Sequence, residues 1–287
     1  MTKNEMPNIP SLMYAQYEIA NSYLKRGFWI KGIIFLINLV VIFLPNLTDN
    51  NAAIWGVFII SVFAILLDNN YQDKFRYSYD VGERIRKLDL IRKVFPSANN
   101  KAEEAYLISQ IEQNVIEYAN KNPKKETEYY SDREEKFEIL SEHIQENSFW
   151  ASSLMELHGK TVRRIMVTMF IVIIGSIIGG MYVLSEYKGN QLGLSLNVSQ
   201  YLALLVNTVF AFNILTYHNS FVKKSKQLKA IDTKLESLKN KPELDNLFIN
   251  FAEYNCILYD AFPTSNSLYK KHGERLNAVW KRRVDSD

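Results

Sequence analysis

The chain has 287 residues, a formal net charge of +3 and one cysteine. So small a charge excess argues against a nucleic-acid-binding protein, and a single cysteine excludes an intrachain disulfide. Mean hydropathy is −0.15, an average that conceals apolar residues gathered in blocks with the charges between them.

The first 26 residues are polar, with Lys3, Glu5 and Glu18, and read as a cytosolic N-terminal helix. The first apolar run, Gly27 to Pro45, starts behind this segment and is followed by no small-residue cleavage site, so it is expected to be retained rather than removed as a signal peptide. Further runs extend from Ala52 to Leu67, Ile165 to Leu184 and Tyr201 to Tyr217. A bilayer core takes about 20 helical residues, with a range of about 17–25. The third run meets that length and the first does so if Lys31 snorkels to the headgroups. The second and fourth need a flanking residue or two.

Lysine and arginine avoid translocated loops. The segment 46–51 has neither, and 185–200 has only Lys188. On the opposite side lie Lys25 and Arg26, Lys74 and Arg76, Lys160, Arg163 and Arg164, and Lys223, Lys224, Lys226 and Lys229. The charges predict a multi-pass protein of the plasma membrane with both termini and the middle segment in the cytoplasm. The expected fold class is an all-α membrane protein: four transmembrane helices in two hairpins (27–67 and 165–217) with a helical cytosolic domain built from 1–26, 68–164 and 218–287.

The polar segments carry helical periodicity. Leu107, Ile108, Ile111, Val115 and Ile116 share one face of a helix predicted between Lys101 and Asn120, bracketed by Pro96 and Pro123. Phe137, Leu140 and Ile144 form a similar stripe before Trp150. After the fourth run, Phe221, Lys224, Leu228, Ile231, Leu235 and Leu238 approach a 3-4 seam that ends at Pro242 and suits an intramolecular pairing.

Within the apolar runs, Gly175 and Gly179, with Gly180 beside them, are small residues at the spacing that lets helices approach closely. Asn38, Asn207 and Asn213 are polar at membrane depth; they either line a wet pathway or hydrogen-bond between helices. Acidic residues and arginine are missing from the run centres, which argues against proton coupling and voltage sensing.

Catalytic chemistry is not visible. Neither glycine fingerprint for nucleotides occurs, and His143, His158, His218 and His272 are scattered, with no metal-ligand spacing. The acidic run Asp132, Glu134, Glu135 and Glu138 reads as a solvated face, and Cys256, followed by Ile257 and Leu258, is expected to be packed. No cofactor, metal or catalytic residue is predicted, and the chain reads as a non-enzyme.

Tyr129-Tyr130-Ser131 precedes ILSEHIQENSFWASSLMELHGK, and FPTSNSLYKKHGERLNAVW closes the chain. This order resembles the SMODS-associating four-transmembrane family of pore-forming effectors in bacterial nucleotide-signalled anti-phage defence. Its aromatic-Tyr-Pro step, its Gln/Asn/Trp helix and its closing Pro-Tyr-Arg element match Tyr130; Gln145, Asn147 and Trp150; and Pro263, Tyr269 and Arg275. Ser131 stands where that family has proline, and Glu146 where it has a basic residue. The resemblance implies a membrane effector that forms a pore or disrupts the inner membrane, causing abortive infection. The implied partners are the lipid bilayer, further copies of the chain, and a cyclic nucleotide or a partner from the nucleotidyltransferase system, with no nucleic acid. The rival readings are a non-pore, membrane-anchored scaffold or receptor with a helical interaction domain, and a membrane enzyme, for which no residue cluster is apparent.

Overall fold

The computed structural model describes residues 6–43, 51–95, 101–124, 135–187, 214–238, 243–259, 261 and 266–284. These residues form eight helices: α1 (Ile9–Phe43), α2 (Asn51–Val94), α3 (Lys101–Ser109), α4 (Gln113–Lys121), α5 (Lys136–Tyr187), α6 (Ile214–Ser237), α7 (Leu244–Tyr259) and α8 (Asn266–Val284). No strand occurs among them.

Local sequence explains the ends. Asn8 caps α1: its Oδ1 accepts the Ser11 N–H at 2.9 Å, and its carbonyl accepts Leu12 N–H at 3.1 Å. Pro10, in the first turn, lacks an N–H that would have had no helical acceptor. The same Asn8 donates through Nδ2 to the Lys124 carbonyl at 2.9 Å, and Lys124 N–H returns a bond to Ser11 Oγ at 2.8 Å. Asn8→Ala is expected to lower the unfolding free energy by about 1 kcal/mol in chemical denaturation, with Asn8→Asp retaining most of it. Equal stability of Asn8→Ala and the parent would show that the cap contributes nothing.

The single helix predicted between Lys101 and Asn120 is two. Gln110 N–H and Ile111 N–H bond to the carbonyls of Leu107 and Ile108, closing α3 with i→i−3 turns. Glu112 is then extended, with φ −65° and ψ 149°, and α4 restarts behind it. The break keeps the apolar face in use, since Leu107, Ile111 and Val115 are all buried.

The chain divides into two compact units. The first comprises 1–22, 74–158 and 220–287; the second comprises 23–73 and 159–219. In the first, Leu12, Ala15, Val81, Ile85, Ile111, Val115 and Ala119 form one core cluster. Phe221, Leu228, Ile231 and Leu235, four positions of the predicted seam, are all buried.

The four-span membrane fold requires correction. Among the described residues, no helix is long and apolar enough to cross a membrane. The multi-pass placement, with cytoplasmic termini and transmembrane hairpins, falls with it. The physical reason lies in the spacing of charges. The run in α2 from Ala52 to Leu67 is closed by Asp68 and is shorter than the lower limit of about 17 residues. In α1, Lys25, Arg26 and Lys31 stand at or inside the start of the run. Residues 44–50 and 188–213, which include the end of the first run and most of the fourth, lie outside the described residues.

Candidate functional site

The middle of α5 places polar residues where a helical bundle normally has apolar ones. Ser141, Gln145, Ser148 and Ser152 recur at helical spacing and are all buried, with Ser148 fully so. Ser225 Oγ on α6 donates to the Ser152 carbonyl at 2.9 Å. Further along, Gln145 Nε2 donates to Glu236 Oε2, which also accepts from Arg283 Nη2. Arg283 Nη1 donates to Asp232 Oδ2 at 3.0 Å. Burial alone would lower the Arg283 pKa, but its bonds to Asp232 and Glu236 outweigh that and raise it. The network ties α5, α6 and α8 together through one amide, two carboxylates and a guanidinium.

Aromatic pairs flank it. Trp150 packs on Tyr269 with ring centroids 5.3 Å apart, and Phe149 packs on buried Trp280 at 5.6 Å. Gly273 is buried beside the first pair: a Cβ there would lie 3.9 Å from both Trp150 and Tyr269. Elsewhere in the unit, the Lys124 ammonium sits 4.1 Å from the Tyr14 ring centroid. Burial, helped by the 2.9 Å bond to Glu18, pushes the Tyr14 pKa up to about 12.

Five positions that carried the family resemblance are thereby located. Gln145 is in the network, and the rings of Trp150 and Tyr269 pack on each other at a tilt of 32°. Asn147 bonds back to the His143 carbonyl at 2.7 Å within α5. Arg275 is exposed on α8 and is not drawn into the network. Tyr130 and Pro263 lie outside the described residues. Sequence reasoning passed over Glu236, Asp232 and Arg283; Arg283 sits in a run of basic residues with nothing to mark it, and its partners lie some helices away.

In the second unit many large apolar side chains are turned outward. On α1, Trp29 is 73 % exposed. On α2, Phe58, Ile59 and Ile60 are each more than half exposed, as are Phe63 and Leu66. Phe170 and Ile171 on α5 behave likewise. Consecutive helical residues are about 100° apart, so the exposed residues of α2 cover more than half of its circumference, and Ser61, Ala64 and Asp68 form the narrower stripe turned inward. Lys25, Arg26, Arg163 and Arg164 are exposed beside these stretches.

The predicted packing glycines do not make a contact within the described chain. A Cβ at Gly175 or Gly179 would meet open space, and the surroundings of Gly180 lie outside the described residues. The side chain of Asn38, and Asn207 and Asn213 altogether, also lie outside them. Two further expectations are corrected. Lys31 does not snorkel: it is 8 % exposed and paired with Asp68 at 3.0 Å, because an unpaired ammonium among apolar side chains would be costly. Cys256 is exposed rather than packed, because the buried face of α7 belongs to Leu247, Asn250, Tyr254, Ile257 and Leu258.

Among the described residues, no group of three or more His, Cys, Asp or Glu converges to hold a metal ion. No family model, no curated protein and no solved structure matches the chain.

Proposed function

We propose that this chain is a non-catalytic effector in a bacterial, nucleotide-signalled anti-phage system, and that it acts by compromising a lipid bilayer as an assembly of several copies. The reading is supported above all by the exposed apolar side chains that cover more than half of the circumference of α2 in its first half. Soluble monomers rarely leave extended apolar surface uncovered. A single partner helix covers one stripe and could not satisfy a helix whose exposed apolar side chains span more than half of its circumference. Copies of the chain gathered at a bilayer could do so, with the exposed Lys and Arg beside the apolar stretches meeting anionic headgroups. The bilayer is here the target of an assembled form, and no spanning helix of the single chain is invoked. The first unit, with its polar network and aromatic pairs, is the receiving domain for a nucleotide or a partner protein.

The test is dye release from vesicles of phosphatidylethanolamine and phosphatidylglycerol on addition of the purified full chain, with and without a panel of cyclic di- and trinucleotides. Release that rises with protein concentration and depends on one nucleotide is the expected result. Vesicles that stay sealed throughout, together with infected cells that are protected while keeping their membrane potential, would overturn the reading in favour of a helical interaction scaffold.

A further inference from the structure

We infer that Lys31 and Asp68 form a breakable latch that holds the apolar helices of the second unit in their closed arrangement. Lys31 is on α1 and Asp68 on α2, each at the edge of its apolar stretch, and they are 8 % and 9 % exposed. Their ion pair is 3.0 Å, made by Asp68 Oδ2. A third helix closes on the pair: Tyr217 of α6 places its ring centroid 5.5 Å from the Lys31 ammonium and its hydroxyl donates to Gln72 Oε1 at 3.1 Å. Phe28 stands 6.0 Å from Tyr217, completing the aromatic wall.

Two details mark the pair as a device for holding rather than for gluing. First, the other carboxylate oxygen, Asp68 Oδ1, is buried and accepts no hydrogen bond from the described residues. A buried pair with an uncompensated oxygen carries a desolvation cost that its Coulomb attraction barely offsets, so apolar side chains of similar volume would hold these helices as well or better. Second, Gly27 makes the room: a Cβ there would stand 2.8 Å from Asp68 Oδ1 and 3.7 Å from Gln72 Nε2. A glycine at this buried position of α1 thus lets a half-satisfied carboxylate sit against the helix. An ion pair of this kind opens once either charge is neutralised or drawn to another partner, and opening frees α1 from α2 and α6.

The test uses the full chain. Amide hydrogen exchange is followed in peptides from 27–37 and 55–72, and dye release is read in parallel on the same vesicles; that second readout rests on the proposed function. Asp68→Asn is expected to speed exchange in both segments at least tenfold, leaving α7 and α8 unchanged, and to raise release. Gly27→Ala, which keeps both charges, gives the same direction with a smaller effect, and serves if Asp68→Asn does not fold. Lys31→Met/Asp68→Leu is expected to exchange no faster than the parent and to release less dye. Parent-like exchange in both Asp68→Asn and Gly27→Ala would overturn the latch, as would a Lys31→Met/Asp68→Leu protein that releases dye like the parent when the parent itself is active. Vesicles that stay sealed for every variant, with the exchange pattern as stated, uphold the latch and count against the bilayer reading alone.

Discussion

Replacing Glu83 with alanine lowers the stability of the first unit by about 3–5 kcal/mol, the usual loss when one partner of a buried ion pair is removed. Glu83 accepts from two segments at once: Tyr17 Oη donates to Oε1 at 2.7 Å, and Arg86 Nε donates to Oε2 at 2.9 Å. The side chains of Arg86 and Glu83 are only 11 % and 15 % exposed. The Arg86 guanidinium lies 5.2 Å from the Tyr254 ring centroid, which brings α7 into the same cluster. Burial, then the Glu83 charge, pushes the pKa of Tyr17 and of Tyr79 well above the usual phenol range, so both hydroxyls stay protonated and able to donate. Gly82 is part of the arrangement, since a Cβ there would stand 3.0 Å from the Tyr17 ring. Alanine at 83 takes the carboxylate from a buried guanidinium and the acceptor from a buried phenol together. Glu83→Gln, which keeps an acceptor for Tyr17, should lose less, and Glu83→Leu/Arg86→Met should recover most of the loss. Urea unfolding monitored by tryptophan fluorescence measures all three; a loss below about 1 kcal/mol for Glu83→Ala would mean that the cluster is solvated in solution.

How much of this was legible beforehand depends on the range of the interaction. The seam on α6 was visible because Phe221, Leu228, Ile231 and Leu235 repeat at helical spacing, and spacing is a local property. The break between α3 and α4 was not, because Gln110, Ile111 and Glu112 include neither glycine nor proline, and the turn is decided by where Leu107 and Val115 are buried. Asp68 could be read as the end of an apolar run, yet nothing nearby points to Lys31, so the lysine was assigned to lipid headgroups when its counter-ion stands on another helix. The same blindness applies to Glu83, which lies among other charges on α2, and to Arg283. Trp150 and Tyr269 stand out by resemblance; that their rings meet is knowledge only the fold supplies. The membrane assignment failed for a related reason. The second run needs a flanking residue or two to cross, and the residue that follows it is Asp68, which keeps the α2 run below a crossing length.

Acidification from pH 7 to pH 4 is expected to destabilise the first unit in a window set by two histidines. Burial, with Lys93 adding to it, lowers the His143 pKa to about 4. Burial alone takes His158 to about 4 as well, against the ring of Phe221 at 4.3 Å. The sign follows from which state binds the proton. Above about pH 6.5 both histidines are neutral whether the chain is folded or not, and they make no difference. Between about 6.5 and 4 the unfolded chain takes up protons that the folded chain refuses, so stability falls as pH falls, by at most about 1.4 kcal/mol per pH unit for each histidine. Below the folded pKa the loss levels off, at a total on the order of 3 kcal/mol per histidine. The upper part of the window, from pH 6.5 to 5, separates this effect from carboxylates, which titrate lower. His158→Phe keeps a flat ring on Phe221 without a titrating nitrogen, and His143→Gln removes the other proton site. Each should reduce the slope of unfolding free energy against pH by about half over that range, and the double variant should be nearly flat there. A slope unchanged by His158→Phe would show that this ring is already solvated enough to accept its proton in the folded state.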